Sequence, residues 1–259
     1  MIWLLALQLV VSPTQHYENA KQAFAQRNFP QAMSEVDTAL HEKPELVPAL
    51  VLKARLAVFA HHPEVARSCL ITAITADPAS EEAQFFLGSF FYLQNDFKLA
   101  ISPLQIAQTL SPQSPLPVFY LAMTQEALGD APKALELYQQ AENLSPEKSR
   151  QSASILVTYG RFLFSMGRVQ DSIEKDRRAI AWDPESRDAH YELAKGLDHE
   201  GEFKDAALEA ERALTLPMLG TSDAQIHFLL ARIYLRLKQP DLAKAHYEKF
   251  QAAPQTTSR

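Results

Sequence analysis

Residues 116–146 read LPVFYLAMTQEALGDAPKALELYQQAENLSP. The stretch divides into two short amphipathic helices that meet at Leu128, Gly129 and Asp130. Small residues stand at Ala122, Ala134 and Ala141, and Pro146 closes the segment. Moved along the chain by 34 residues, the same skeleton returns. A fixed period of this length is the mark of a stacked array rather than of one compact core.

Seven repeats can be laid out, near 13–46, 47–80, 81–114, 115–148, 153–186, 187–220 and 224–254. The first small site is Ala20, Ala54, Gly88, Ala122, Gly160, Ala194 and Ala231. The second is Ala32, Ala66, Ala100, Ala134, Ser172, Ala206 and Ala243. The third is Ala39, Ala73, Ala107, Ala141, Ala179, Ala213 and Phe250. Nineteen of these 21 places hold Ala or Gly, where 37 Ala and 7 Gly in 259 residues would put only about four, so the register is real. Pro44, Pro78, Pro112 and Pro146 follow at the same 34-residue spacing and stop each second helix.

The spacing has a packing reason. One small site falls on the first helix of each repeat and two on the second. Small residues let helix axes approach, and large neighbours such as Leu87, Leu121, Tyr159, Leu193 and Leu230 fill the space beside them. Asn95-Asp96, Gly129-Asp130, Gly167 and Gly201-Glu202 supply turn chemistry between the helices. No single repeat can bury its apolar face alone, so the repeats must stack.

This skeleton resembles the tetratricopeptide repeat, a 34-residue helix–turn–helix unit, over residues 13–254. The resemblance implies an all-α fold, an α-solenoid of about seven units wound as a right-handed superhelix. The chain departs from the family pattern in places. The expected large aromatic on the first helix is His16, Leu50, Gln84, Val118, Leu156, His190 and His227. Asn19 and Lys53 replace the large apolar residue before the small site in the first two repeats, which are therefore degenerate. Pro103 falls inside a second helix and is expected to bend it or remove a hydrogen bond. Four extra residues in EKSRQS, between repeats four and five, are expected to lengthen the next first helix by a turn.

Composition agrees with a globular helical chain: 47% hydrophobic, 22% charged and only 7 Gly. A net charge of −6 argues against general nucleic-acid binding. The single cysteine, Cys69, rules out an internal disulfide and a Cys-based zinc site. Residues 2–11, IWLLALQLVV, are the most apolar run; as a helix they would span about 15 Å, half a bilayer core, so no integral membrane span is expected. Residues 1–12 read either as an export signal, placing the chain in the periplasm or outside the cell, or as an apolar helix on the first repeat of a cytoplasmic protein. Residues 255–259 read as a frayed tail.

Motifs of chemistry are missing. There is no His-x3-His pair within a helix, no matched carboxylate pair, and no nucleophile elbow, phosphate loop or dinucleotide fingerprint. His16, His190 and His227 occupy equivalent places in separate repeats and read as packing residues rather than metal ligands. Neither a cofactor, a metal nor catalysis is expected.

The functional signal is a surface. The resemblance implies that first helices line a concave groove. Three places before the first small site stand Tyr17, Val51, Phe85, Phe119, Val157, Tyr191 and Phe228, expected to point into it. One turn further stand Lys21, Arg55, Ser89, Met123, Arg161, Lys195 and Arg232, a row basic in five of seven repeats. Aromatic rings beside Arg and Lys suit an extended protein or peptide segment that carries acidic groups. Phe119 and Met123 would form an apolar centre between basic flanks. The expected function is thus non-enzymatic: a protein-interaction module with a groove. The alternative is a scaffold whose copies stack through their terminal repeats.

Overall fold

The computed structural model describes residues 12–146, 148–218 and 220–253. The expected export signal, apart from Ser12, and the tail at 255–259 lie outside the described residues.

Fourteen α-helices make up the regular structure of the described residues, in the order α1 (Pro13–Ala25), α2 (Phe29–Glu42), α3 (Val47–Phe59), α4 (Pro63–Ala76), α5 (Glu81–Leu93), α6 (Phe97–Leu110), α7 (Pro115–Ala127), α8 (Ala131–Leu144), α9 (Arg150–Ser165), α10 (Val169–Trp182), α11 (Arg187–Glu200), α12 (Phe203–Leu214), α13 (Asp223–Arg236) and α14 (Pro240–Ala252). The fold is all-α, a row of helix–turn–helix repeats. Within a repeat the two helices pack on each other, as in α1 with α2, α5 with α6 and α9 with α10. The second helix then packs on the first helix of the next repeat, as in α2 with α3 and α12 with α13. The chain divides into an N-terminal body, residues 1–137, and a C-terminal body, residues 138–259, with the division inside α8.

The small sites are where the helices meet. Apart from Phe250, all of them are buried. Gly88 shows why: a Cβ there would run into the side chain of Leu104, which is itself fully buried. The same relation recurs at Gly160, whose added Cβ would meet a carboxylate oxygen of Asp176 at 2.8 Å. Asp176 thus holds the place that Val36, Leu70, Leu104 and Tyr138 fill in other repeats.

The turn inside each repeat passes through one residue in the left-handed region. Gly129, Gly167 and Gly201 take φ near +80° at little cost. Arg27, His61, Asn95 and Lys238 occupy the equivalent positions with φ between 57° and 61°. For the side-chain-bearing residues that geometry costs about 1–2 kcal/mol each, so packing of the flanking helices overrides local preference. Serine and asparagine caps begin many helices: Ser12, Asn28, Ser80, Ser149, Ser186 and Ser222 each accept a backbone N–H from the first turn.

Two spacing irregularities resolve locally. The extra residues before repeat five are partly absorbed by α9, which has 16 residues against 13 for α7. It begins at Arg150 rather than near Ala153, because Ser149 caps it there. Likewise α13 begins at Asp223, where Ser222 and Gln225 form a capping box. Pro103 is buried inside α6, which continues through it; lacking an N–H, it has nothing to give to the carbonyl of Leu99. Cys69 is buried in α4, and burial pushes its thiol up.

Candidate functional site

In the N-terminal body the first helices α1, α3, α5 and α7 touch in succession. Two of these are apolar almost all round: VPALVLKARLAVF in α3 and EEAQFFLGSFFYL in α5. A helix of that kind needs partners on more than one side. The second helices cover one side. The other opens into a cleft of about 250 Å³. Its walls are Phe85, Phe86, Phe90 and Tyr120, and its rim carries Val58, Phe59, Leu93 and Arg55. Phe59 is 60% exposed and Leu93 58% exposed.

The cleft is held by ring packing. Phe85 meets Tyr120 edge-on at 5.4 Å, and Tyr120 meets Tyr92 the same way at 5.7 Å. The Arg55 guanidinium lies between Phe24 at 4.7 Å and Phe86 at 5.0 Å. Cation–π contacts with both rings hold it at the rim, where its charge opposes the rise that burial imposes on the Glu82 carboxyl. Tyr17 is half-buried beside Lys21, 5.5 Å from its ring, and burial pushes its hydroxyl up. Lys21 itself is held by Glu18 at 2.6 Å.

Of the groove residues expected here, Arg55 and Phe85 come together in the cleft. Val51 and Phe119 do not: both are buried in the helix packing. Met123 is half-buried. The apolar centre expected at Phe119 and Met123 therefore lies elsewhere, around Phe59, Phe86, Leu93 and Tyr120. Phe86 and Tyr120 stand one place after the expected row, and Phe59 and Leu93 one turn beyond the second row. The unusual apolarity of α3 and α5 was the sequence signal for them.

Two cavities of the C-terminal body are lined by charged groups, unlike the apolar cleft of the N-terminal one. A cavity of about 560 Å³ is lined by Val157, Arg161, Tyr191 and Lys195, all expected groove residues, together with Arg150 and Glu192. Arg161 is exposed and Val157 buried. Burial pushes the Tyr191 hydroxyl up. A second cavity, about 260 Å³, lies among Phe164, Lys195, Asp198, His199, Arg232 and Arg236. The carboxylate of Asp198 is buried and takes Arg232 at 2.5 Å and Arg236 at 3.4 Å. Lys195 is paired with Glu192 at 2.5 Å. So three members of the basic row, Lys21, Lys195 and Arg232, have carboxylate partners. These three are mounted ion pairs rather than bare positive charges. Glu18 and Glu192 are local, three places before their partners; Asp198 reaches Arg232 from the preceding repeat, where only folding brings it.

At the last repeat Phe228 is 44% exposed and packs at 5.2 Å on Phe250. With Leu235 and Tyr247 it lines a shallow cavity of about 370 Å³.

The histidines expected as packing residues have a further role. Each joins the two helices of its own repeat: His16 to Glu35 at 2.6 Å, His190 to Glu209 at 2.6 Å, and His227 to His246 at 3.0 Å. Among the described residues no group of three or more His, Cys, Asp or Glu is placed to hold a metal, and no helix is long and apolar enough to cross a membrane.

Family models described as tetratricopeptide repeat match residues 51–115 and 158–218, residues 118–147, and residues 224–253. Solved structures are similar in fold. One is the crystal structure of the APC/C hetero-tetramer Cut9–Hcn1: 16% identity, TM-score 0.76, covering 87% of this chain and 44% of that one. A tetratricopeptide repeat protein from Parabacteroides merdae aligns over 95% of this chain and 94% of its own, with 12% identity and TM-score 0.67. A thermophilic protein of the same repeat class from Thermus thermophilus aligns over 72% and 99%, with 20% identity and TM-score 0.60. The chain thus spans less than half of the first of these. No curated protein matches it.

Proposed function

The chain belongs to the tetratricopeptide-repeat family, and we propose that it is a non-enzymatic interaction module that holds a segment of a partner protein on its first helices. The fold in general supports protein–protein interaction or scaffolding. The observation that carries the narrower reading is the cleft between α3, α5 and α7, with Phe59 and Leu93 exposed at its rim. Clustered exposed apolar side chains around a cleft mark a binding surface. At about 250 Å³ it is below the ~300–1,000 Å³ of pockets that enclose a small molecule or cofactor, and suits one or two apolar side chains of a polypeptide. Arg55, pinned between two rings, would then meet a carboxylate or backbone carbonyl of the same segment.

Peptides selected from a random displayed library against the whole protein test this. Those that bind are expected to carry aromatic or branched aliphatic residues. Phe59→Asp and Leu93→Asp should each weaken them about tenfold or more in fluorescence anisotropy, the loss of a buried apolar anchor. Selected peptides that bind both variants as well as the parent would refute the assignment.

The scaffold reading rests on the last repeat, where Phe228, Leu235, Leu242 and Tyr247 are all substantially exposed. If copies associate there, light scattering will show a mass that rises with concentration and returns to that of one chain in Leu235→Glu. A single-chain mass at all concentrations would rule it out.

A further inference from the structure

Repeats one, six and seven each tie their two helices together at the same place, through a pair 19 residues apart. In the first and sixth the pair is His16 with Glu35 and His190 with Glu209. A carboxylate accepts from an imidazolium at least as well as from a neutral ring, so protonating the histidine leaves those bridges in place. In the seventh a second imidazole stands where the others have the carboxylate, and Nδ1 of His227 meets Nδ1 of His246 at 3.0 Å. One ring must donate and the other accept, so only one of the two Nδ1 atoms can carry a proton. The helix held by this bridge has little else to hold it. α14 packs chiefly on α13, and Ala243 is its only buried residue. Beside the imidazole bond lie Phe228 on Phe250, with centroids 5.2 Å apart, and Tyr234 stacked on His246 at 5.5 Å.

We infer that these two imidazoles form an acid-operated latch: when both are protonated, α14 comes away from α13. The first added proton can enter at Nε2 of the donating ring, which keeps the bond and makes it charge-assisted. The second must enter at the accepting Nδ1. It turns the acceptor into a donor, so two N–H groups and two positive charges face each other across 3.0 Å. The carboxylates around the pair are already engaged. Asp223 on α13 is paired with Arg187 of α11, and Glu211 on α12 accepts from the Tyr234 hydroxyl. Lys249, on α14 itself, adds a further positive charge. Burial, then Lys249 and Arg187, hold the His227 imidazole below its usual 6.5, against Asp223. Burial, then His227 and Lys249, do the same at His246, against Glu211. A histidine depressed in the closed form takes up protons on opening. The bridge therefore contributes its full stability above pH 6.5 and loses it as pH falls below that value. Opening uncovers the side of α13 that carries Phe228, Ala231 and Tyr234, so acid converts the last repeat from a closed helix pair to an open apolar face.

The test is amide hydrogen exchange of the full chain at about pH 7.5 and pH 5, corrected for the intrinsic effect of pH on exchange, with the α12 amides as internal reference. Protection of α14 relative to α12 is expected to fall about tenfold or more at the lower pH; a latch that refused one proton entirely would give about thirtyfold. His246→Glu installs the carboxylate of the first and sixth repeats, and α14 should then stay protected at both values. His246→Gln cannot ionise, so its α14, even if held less firmly, should be protected to the same degree at both. A fall as large in either variant as in the parent, no fall in the parent, or an α14 already unprotected at pH 7.5 would overturn the latch.

Discussion

Asp176→Asn is expected to make the C-terminal body more stable at pH 8 and to flatten its dependence on pH. The Asp176 side chain is wholly buried in α10, against Gly160 and Ser172, and one of its oxygens has no hydrogen-bond partner. Burial, with Glu192 nearby, pushes its carboxyl from the usual 3.8 up to about 8, against weaker opposing effects of Ser172 and Lys195. Between those values the folded chain keeps a proton that the unfolded chain has released. Stability from this group is therefore greatest at low pH, falls as pH rises from about 4 to about 8, and is level above that, a change on the order of 5 kcal/mol. Urea unfolding followed by helical circular dichroism at pH 5 and pH 8.5 measures it. The substituted amide cannot ionise, so the gap between variant and parent should be small at pH 5 and large at pH 8.5. An equal gap at both values would contradict the buried carboxyl. Asp176→Leu should stabilise as well, since it recreates the pairing of Leu104 on Gly88.

Tyr138→Ala is expected to cost about 3–5 kcal/mol, the penalty of emptying a large aromatic site in a close-packed core. Tyr138 is fully buried, stacked on Tyr159 with centroids 5.3 Å apart and tilted against Phe162 at 5.1 Å. It lies on the second helix of the repeat that displays the sequence period most clearly. The midpoint of urea unfolding should fall with little change in slope. Tyr138→Phe, which keeps the ring, should lose far less. A loss below about 1 kcal/mol for the alanine variant would mean that the site collapses without a cavity.

Much of the fold was legible because the repeat itself is a packing code. Ala, Gly and Ser recur where helix axes must come close, and the structure buries all of those places. The turn residues were only partly legible. Glycine announces the left-handed position at Gly129, Gly167 and Gly201, but Arg27, His61 and Lys238 adopt it without any such mark. There the stacked helices fix the backbone and the side chain tolerates it.

The lining of the cavities was legible only in part. A row of first-helix residues could be drawn, and Arg55, Phe85, Tyr191, Lys195 and Arg232 do line cavities. A row counts residues along one helix, however, and burial depends on the neighbouring helices. Val51 and Phe119 share the register of Phe85, yet the helices around them close over them.

The sequence by itself determined the all-α class, the helix–turn–helix repeat and its register, since these follow from local periodicity and from the size of side chains at fixed spacing. Tertiary structure alone decided which of the equivalent residues reach the surface and how their charge is spent. Asp198 and Arg232 belong to different repeats, as do Arg55 and the Phe24 and Phe86 rings that hold it. Such contacts depend on how one helix is set against the next, a few ångströms that no spacing along the chain records.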